Sequence, residues 1–359
     1  MDRRAVARHA PDAVTVAERV ALAPLTTLGV GGAARWFVEA GDEAAVRAAC
    51  AWARERRVAL RVLGGGSNLV VGDGGVDALV VRIALRGLTH RERGGAVELT
   101  VAAGEPWDGV VATSVERGWA GLECLSGIPG LVGATPIQNV GAYGQEVSDT
   151  VVSVRGLDTA TGEIAEIAGA DCGFAYRDST FKRETPGHFI VLAVTYRLRA
   201  GGAPTLTYGD VQRALAGRAP TLAETRAAVL TIRRGKSMTL DQPDDVNRRS
   251  CGSFFLNPIV EAAQAESVTA RSGEPAMPRW PQPDGRVKLS AAWLIERAGF
   301  TRGERAGAVG LSTRHTLAIV AHDGARTADV LAFARRVQDQ VEQRFGVRLS
   351  PEPVFWGVA

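Results

Sequence analysis

The chain has 359 residues, of which 46% are hydrophobic, 23% charged and 6% aromatic. That length predicts two or three domains, and the composition excludes a disordered or collagen-like chain. Its 42 basic and 39 acidic residues leave a net charge of +3, which argues against a protein built to track nucleic acid or an anionic membrane. Two biases stand out: 42 glycines, about 12% where about 7% is usual, and only three lysines, Lys182, Lys236 and Lys288.

Residues 1–24 carry little periodicity and read as a loose arm. Arg35–Ala40 reads as a strand and leads into a helix over Asp42–Arg57, with Val46, Ala49, Cys50 and Ala53 on one face. The run Leu60–Ile83 alternates three apolar strands with the turns GGGSN and GDGG, completing a β-α-β-β-β opening. Val97–Ala103 is a further strand, and Pro106 suits the start of a helix reaching Arg117. Val151–Leu157 and Phe189–Leu198 are strands flanking the polar loop YRDSTFK.

The texture changes near residue 220. Thr221 and Glu224 form a capping box for a helix through Ile232. Loops follow, then a helix at Ser290–Ala298 stopped by Gly299, and a last helix over Thr327–Phe345 with a Val330, Phe333, Ala334, Val337, Val341, Phe345 stripe. The class is α+β with a distinct C-terminal module. The charge-free stretch Cys124–Gln145 holds two prolines and five glycines, so it is no membrane span. The four cysteines lack metal-ligand spacing and read as reduced thiols of a cytoplasmic protein.

The glycine excess is concentrated, and that concentration is the chemical clue. Gly29–Ala34 fits GxGxxA, but a strand follows where a dinucleotide fingerprint needs a helix, so a Rossmann reading fails. GGGSN at 64–68 and the segment Ser126–Gly144 instead offer backbone N–H groups that can approach a bulky ligand and hold a pyrophosphate without a cation. Ser179-x-x-Lys182 fits a penicillin-binding pattern, but its SDN and KTG companions are missing. Arg177 can bind a carboxylate bidentately, Ser253 follows a glycine against two aromatics, and Glu352 is fixed between Pro351 and Pro353. Each has a bland alternative: a surface ion pair, a turn hydroxyl, a solvated carboxylate.

The blocks TLGVGGAARWF, VLGGGSNLVV, LSGIPGLVGATPIQNVGAYGQE, CGFAYRDSTFK, LTYGD, CGSFFLNP, WPQPDGRVKLSAAWLIERAG and SPEPVFWG, in that order, resemble the UDP-N-acetylenolpyruvoylglucosamine reductase family. The resemblance spans about Thr26 to Gly357, and LTYGD is similar to the subclass (type I) whose tyrosine loop closes over the substrate. It implies an α+β fold with a two-part FAD-binding domain of the vanillyl-alcohol-oxidase type plus a C-terminal α+β substrate-binding domain. The parts would be an arm at 1–24, a first FAD subdomain at 25–85 completed by 345–359, a second at 86–219, and the substrate domain at 220–345.

The resemblance implies FAD, NADPH as hydride donor, and the enolpyruvyl ether of UDP-N-acetylglucosamine as small-molecule substrate. GGGSN offers no histidine or cysteine to tether a flavin, so the FAD is expected to be noncovalent, and the expected setting is a cytoplasmic monomer without nucleic-acid or membrane partners. Arg177, Ser253 and Glu352 match its catalytic positions. The flavin would be wrapped by Leu63, Gly64, Gly65, Gly66, Ser67 and Asn68 and by Ser126, Gly127, Ile128, Pro129, Gly130, Gly133, Ala134, Gln138, Asn139, Gly141, Ala142 and Tyr143. Besides Arg177 and Ser253, the UDP-sugar would meet Tyr143, Tyr176, Tyr208, Arg233, Lys236, Asn257 and Arg297. Two positions depart from the pattern: Arg297 stands where glutamine is frequent, and Pro353-Val354 follows the glutamate where some members have Val-x-Arg. An FAD-dependent alcohol oxidase and a flavin-binding module without catalysis are the competing readings; both leave the Arg177, Ser253, Glu352 trio unexplained.

Overall fold

The computed structural model describes residues 14–184, 187–215 and 219–358; the first half of the expected arm, residues 1–13, lies outside them. Two sheets make up the first part of an α+β fold. One has four strands in the order Ala17–Ala21, Ala33–Ala40, Val76–Ile83, Leu60–Leu63. Its first pair is antiparallel and the others are parallel. The helix Glu43–Arg56 crosses between parallel strands, with Asp42 accepting the Ala45 N–H as N-cap and Arg57 closing it in the left-handed conformation. The other sheet is antiparallel, and Phe189–Ala200 runs between Val151–Asp158 and Ala96–Ala102. One core joins the two sheets, from Val46 and Ala49 on the helix to Val101, Val154 and Val194 on the strands.

Part of the arm is therefore a strand: Ala17–Ala21 pairs with Ala33–Ala40. Its side chains are almost all exposed, so it lacks the alternation that marks a strand in sequence.

The C-terminal module packs small sheets around three helices, Ala262–Ser272, Ala291–Arg297 and Thr327–Phe345. The last buries the whole predicted stripe plus Thr327. Each such fully buried valine or phenylalanine is worth about 1.5–3 kcal/mol. Leu28, Val30 and Val70 from the first part of the chain belong to this same core, so the module is not a separable bead.

The strand Leu69–Val71 joins neither large sheet. It pairs in parallel with Val354–Trp356, which brings the end of the chain back beside the GGGSN loop. The return requires glycine: a Cβ on Gly72 would sit 1.9 Å from the Gly357 carbonyl oxygen. Among the described residues no helix is long and apolar enough to cross a membrane. All four cysteines are buried and unpaired, and burial pushes their thiols up, to about 11 for Cys50 and Cys172 and about 12 for Cys124 and Cys251.

Candidate active site

A cavity of about 700 Å³ opens where the two sheets and the C-terminal module meet. The turn Gly64–Asn68 forms one wall. Among the described residues no protein acceptor receives the N–H groups of Gly65, Gly66 or Ser67. Gly66 has φ +64, and a Cβ there would lie 2.1 Å from the Leu25 carbonyl oxygen; one on Gly65 would lie 2.8 Å from Gly130 Cα. The turn is thus held by close backbone approach, and Ser67 Oγ ties it to the next wall by donating to the Pro129 carbonyl at 3.0 Å.

That second wall is the 126–144 segment, of which Ile128, Pro129, Gly130, Gly133, Ala134, Gln138, Gly141 and Ala142 line the cavity. Leu63, Gly64, Gly65, Gly66, Ser67 and Asn68 line it as well. Four expected residues do not. Ser126 is buried and donates to the Glu123 carbonyl, and Gly127 donates its N–H to Asp108. Asn139 is used up holding Glu146, Ser148 and the Ala175 carbonyl, and Tyr143 packs edge-on against Tyr208 with ring centroids 5.3 Å apart.

Arg177 and Tyr176 are the apex of a tight turn closed by paired hydrogen bonds between Ala175 and Asp178. Arg177 has φ +55, a strained conformation for a residue with a Cβ. Three contacts hold it: Nη2 donates to the Gly141 carbonyl at 2.5 Å, Nη1 to the Asn139 carbonyl, and Lys182 Nζ donates to its own carbonyl at 2.9 Å. Its Nε lies 3.4 Å from Glu352 Oε1.

The other partner surface comes from the C-terminal module. Phe254 and Leu256 run antiparallel to 350–352: Glu352 donates its N–H to the Phe254 carbonyl at 2.9 Å, and Leu256 donates to the Ser350 carbonyl. This ladder brings the Ser253 and Glu352 segments together at the cavity, which Arg177 lines as well. Asn68 fastens the arrangement, since its Nδ2 donates to Gln138 Oε1 at 2.6 Å and reaches the Glu352 carbonyl at 3.4 Å. Burial raises the Glu352 carboxyl above its ordinary value, while Arg177 and Lys182 pull it back down.

The expected sugar-binding residues divide into two groups. Arg233 lines the cavity, and its Nε is enclosed without a hydrogen-bond partner. Tyr143, Tyr208 and Lys236 cluster with one another outside the cavity lining, with Lys236 Nζ 3.1 Å from Asp210 and 5.9 Å from the Tyr143 ring centre. Tyr176 and Asn257 do not line the cavity, and Asn257 Oδ1 accepts the Ala291 N–H at 2.9 Å. Arg297 is not brought to the cavity: its Nε pairs with Glu274 at 2.5 Å and its guanidinium packs on Trp293.

Sequence reasoning missed Lys182 as the support under Arg177, and missed the apolar end of the cavity made by Leu60, Val62, Ile83, Phe189 and Val191. Those five are ordinary strand residues, and nothing in their pattern separates a cavity wall from a core. An apolar slot together with free backbone N–H groups fits a long, flat-ringed, anionic group such as FAD.

Comparison with known proteins agrees with the geometry. Residues 242–356 match the UDP-N-acetylenolpyruvoylglucosamine reductase C-terminal domain family, and residues 34–168 match an FAD-binding domain family. A UDP-N-acetylenolpyruvoylglucosamine reductase from Saccharopolyspora erythraea is 51% identical over 347 residues, covering 93% of this chain and 94% of its own. One from Streptomyces coelicolor is 48% identical over 350 residues, covering 94% and 89%. The crystal structure of the UDP-N-acetylenolpyruvylglucosamine reductase from Thermus caldophilus superposes with a TM-score of 0.66 at 28% identity, covering 96% of this chain and 99% of that one.

Proposed function

The chain belongs to the UDP-N-acetylenolpyruvoylglucosamine reductase family, and from that premise we infer which of its residues carry the reaction. It is an FAD-containing, NADPH-dependent oxidoreductase that reduces UDP-N-acetylenolpyruvoylglucosamine to UDP-N-acetylmuramate in peptidoglycan precursor synthesis. Bound in the cavity, FAD supplies the hydride relay from NADPH to C3 of the enolpyruvyl group.

The protein's own task is to manage charge and one proton. Hydride at C3 leaves negative charge at C2, spread into the neighbouring carboxylate, so a fixed cation there stabilises the transition state more than the ground state. Arg177 is that cation in our reading, pre-aimed by its strained turn and its two carbonyl contacts. Glu352, whose carboxyl burial raises above its ordinary value, would in its protonated form donate to the same carboxylate. Ser253 Oγ delivers the proton to C2. The observation that carries this reading is the convergence of Arg177, Ser253 and Glu352, three residues far apart in sequence, on one cavity wall.

Gly64–Asn68 and the cavity-lining part of 126–144 would hold the flavin, and the 25–85 and 86–219 units with the returning 345–359 segment would be its domain. Tyr208, Lys236, Arg233 and Asn257 would grip the UDP-sugar. Tyr208 directly precedes the helix Gly209–Ala214, which supports the tyrosine-loop subclass. Its substrate is a small molecule, as for its relatives, and we propose a monomer without nucleic-acid or membrane partners, consistent with the near-neutral net charge of +3. Four reduced, buried thiols support a cytoplasmic setting.

Separate half-reactions test the roles. Anaerobic NADPH should bleach the flavin, and the enolpyruvyl UDP-sugar should restore its colour. Ser253→Ala should leave the first step nearly intact and slow the second by about 10²–10⁴-fold. Equal slowing of both would remove Ser253 from proton delivery.

A further inference from the structure

A second cavity, of about 450 Å³, adjoins the first and takes no part in the chemistry above. Its walls include Arg82, Arg248, Arg249, Thr26 and Thr27, and no carboxylate side chain. Gly65, Leu240 and Arg248 border both cavities, so one ligand can extend from the first into the second. Two of the arginines are balanced by acids outside the walls, Arg82 by Glu39 at 3.0 Å and Arg249 by Asp323 at 3.1 Å. Arg248 is not: among the described residues the only hydrogen bond of its side chain is from Nη1 to the Pro243 carbonyl at 2.8 Å. Thr27 Oγ1 is enclosed there without a partner. An unbalanced guanidinium with an idle hydroxyl, in a cavity free of carboxylates, is a seat for a phosphate group.

Three phosphate sources belong to the reaction, and two already have seats. The flavin diphosphate has the unpartnered N–H groups of Gly65, Gly66 and Ser67. The UDP-sugar diphosphate has Lys236 beside Tyr143 and Tyr208. We propose that the second cavity receives the 2′-phosphate of NADPH, with Arg248 as the residue that distinguishes NADPH from NADH. The nicotinamide end must enter the first cavity to deliver hydride, and the rest of so long a molecule must leave over a rim. Leu240, 47% exposed, gives that shared rim an apolar shoulder on which the adenosine can rest. A phosphate monoester is the one group NADPH has and NADH lacks, and a dianion matches an arginine fork.

The inference rests on the reductase reading, and the test separates the two. Holoenzyme is titrated calorimetrically with adenosine 2′,5′-bisphosphate and with 5′-AMP, and flavin reduction is timed with NADPH and NADH. Wild type should prefer the 2′-phosphorylated member of each pair. Arg248→Ala should erase roughly tenfold or more of both preferences by weakening only that member. Arg248→Lys should recover part of it, and flavin content and reoxidation by the UDP-sugar should not change. Equal weakening of NADPH and NADH, or no change in either, would overturn the proposal. A loss of flavin would assign the cavity to the FAD diphosphate instead, and a raised KM for the UDP-sugar would assign it to the substrate. A wild-type flavin that NADPH fails to bleach would defeat the reductase reading itself, whatever Arg248 does.

Discussion

On the side of Gly64–Asn68 and 126–144 the cavity wall is backbone, shaped by glycines that let one strand of chain lie against another. On the side of Ser253 and Glu352 the wall is side chain, aimed by a short antiparallel ladder between 254–256 and 350–352. The first wall suits a ligand that is always present and must be touched along its whole length. The second suits a ligand that comes and goes and must be met by a few groups at chosen atoms. A backbone wall fails by collision, whereas a side-chain wall fails by loss of charge or of a proton.

The same substitution placed on each wall should expose that difference most strongly. Gly66 and Gly252 both have positive φ, +64 and +77. A Cβ on Gly66 would meet the Leu25 carbonyl oxygen at 2.1 Å and Thr26 Cα at 2.8 Å, whereas Gly252 has nothing within 4 Å. Gly66→Ala should therefore cost about 3 kcal/mol or more and release the flavin, because backbone must move. Gly252→Ala should cost only the conformational strain, about 1–2 kcal/mol, and keep the flavin. Flavin absorbance per protein and urea midpoints measure both. A yellow, stable Gly66→Ala would mean the wall is softer than its contacts imply.

Glu352 sharpens the contrast in pH. An unfolded chain ionises this carboxyl near 4.5, and burial raises that value in the folded protein. A carboxyl raised on folding contributes stability that is complete below 4.5 and is lost as pH climbs through the folded value. Glu352→Gln removes this dependence. The variant should match wild type near pH 4 and melt higher than wild type at pH 7, while its reoxidation by the UDP-sugar falls about tenfold. Thermal melts at both pH values check it, and a variant that melts lower at pH 7 would show that the Arg177 contact at 3.4 Å outweighs burial.

The two walls were also unequally legible in the sequence. Glycine density located the backbone wall without any structure, because close approach leaves a compositional mark. Arg177, Ser253 and Glu352 were individually ordinary, and only the resemblance joined them; their proximity depends on a ladder between segments almost a hundred residues apart. The helix Thr327–Phe345 was readable to its ends from its apolar stripe. The helix Ala262–Ser272 was not, since it buries only Ala265 and Val268. Arg297 stood in the right block, yet Glu274 holds it on the surface. The second cavity left no trace at all, as residues 82, 248 and 249 share no motif.

What keeps the walls in register is small and specific. Asp73, in the GDGG turn after the Leu69–Val71 strand, accepts the N–H of Thr327 at 2.9 Å and of Ala328 at 3.0 Å. It thereby caps the long C-terminal helix from the opposite part of the chain, where bare N–H groups and the positive helix end favour a carboxylate. Thr327 Oγ1 returns the contact by donating to the Val71 carbonyl at 2.5 Å. Because Val71 also pairs with Trp356, the capped helix and the return strand that follows Glu352 hang from one turn. Asp73→Ala should cost about 1 kcal/mol, or about 2 °C in Tm, and Asp73→Asn, which keeps an acceptor, less. Flavin content should hold in both, since the backbone wall is untouched. Flavin reduction by NADPH should hold too, while reoxidation by the UDP-sugar slows about twofold in Asp73→Ala as Glu352 and Ser253 loosen against Arg177. Equal slowing of both half-reactions would mean the turn supports the whole cavity and not the side-chain wall alone.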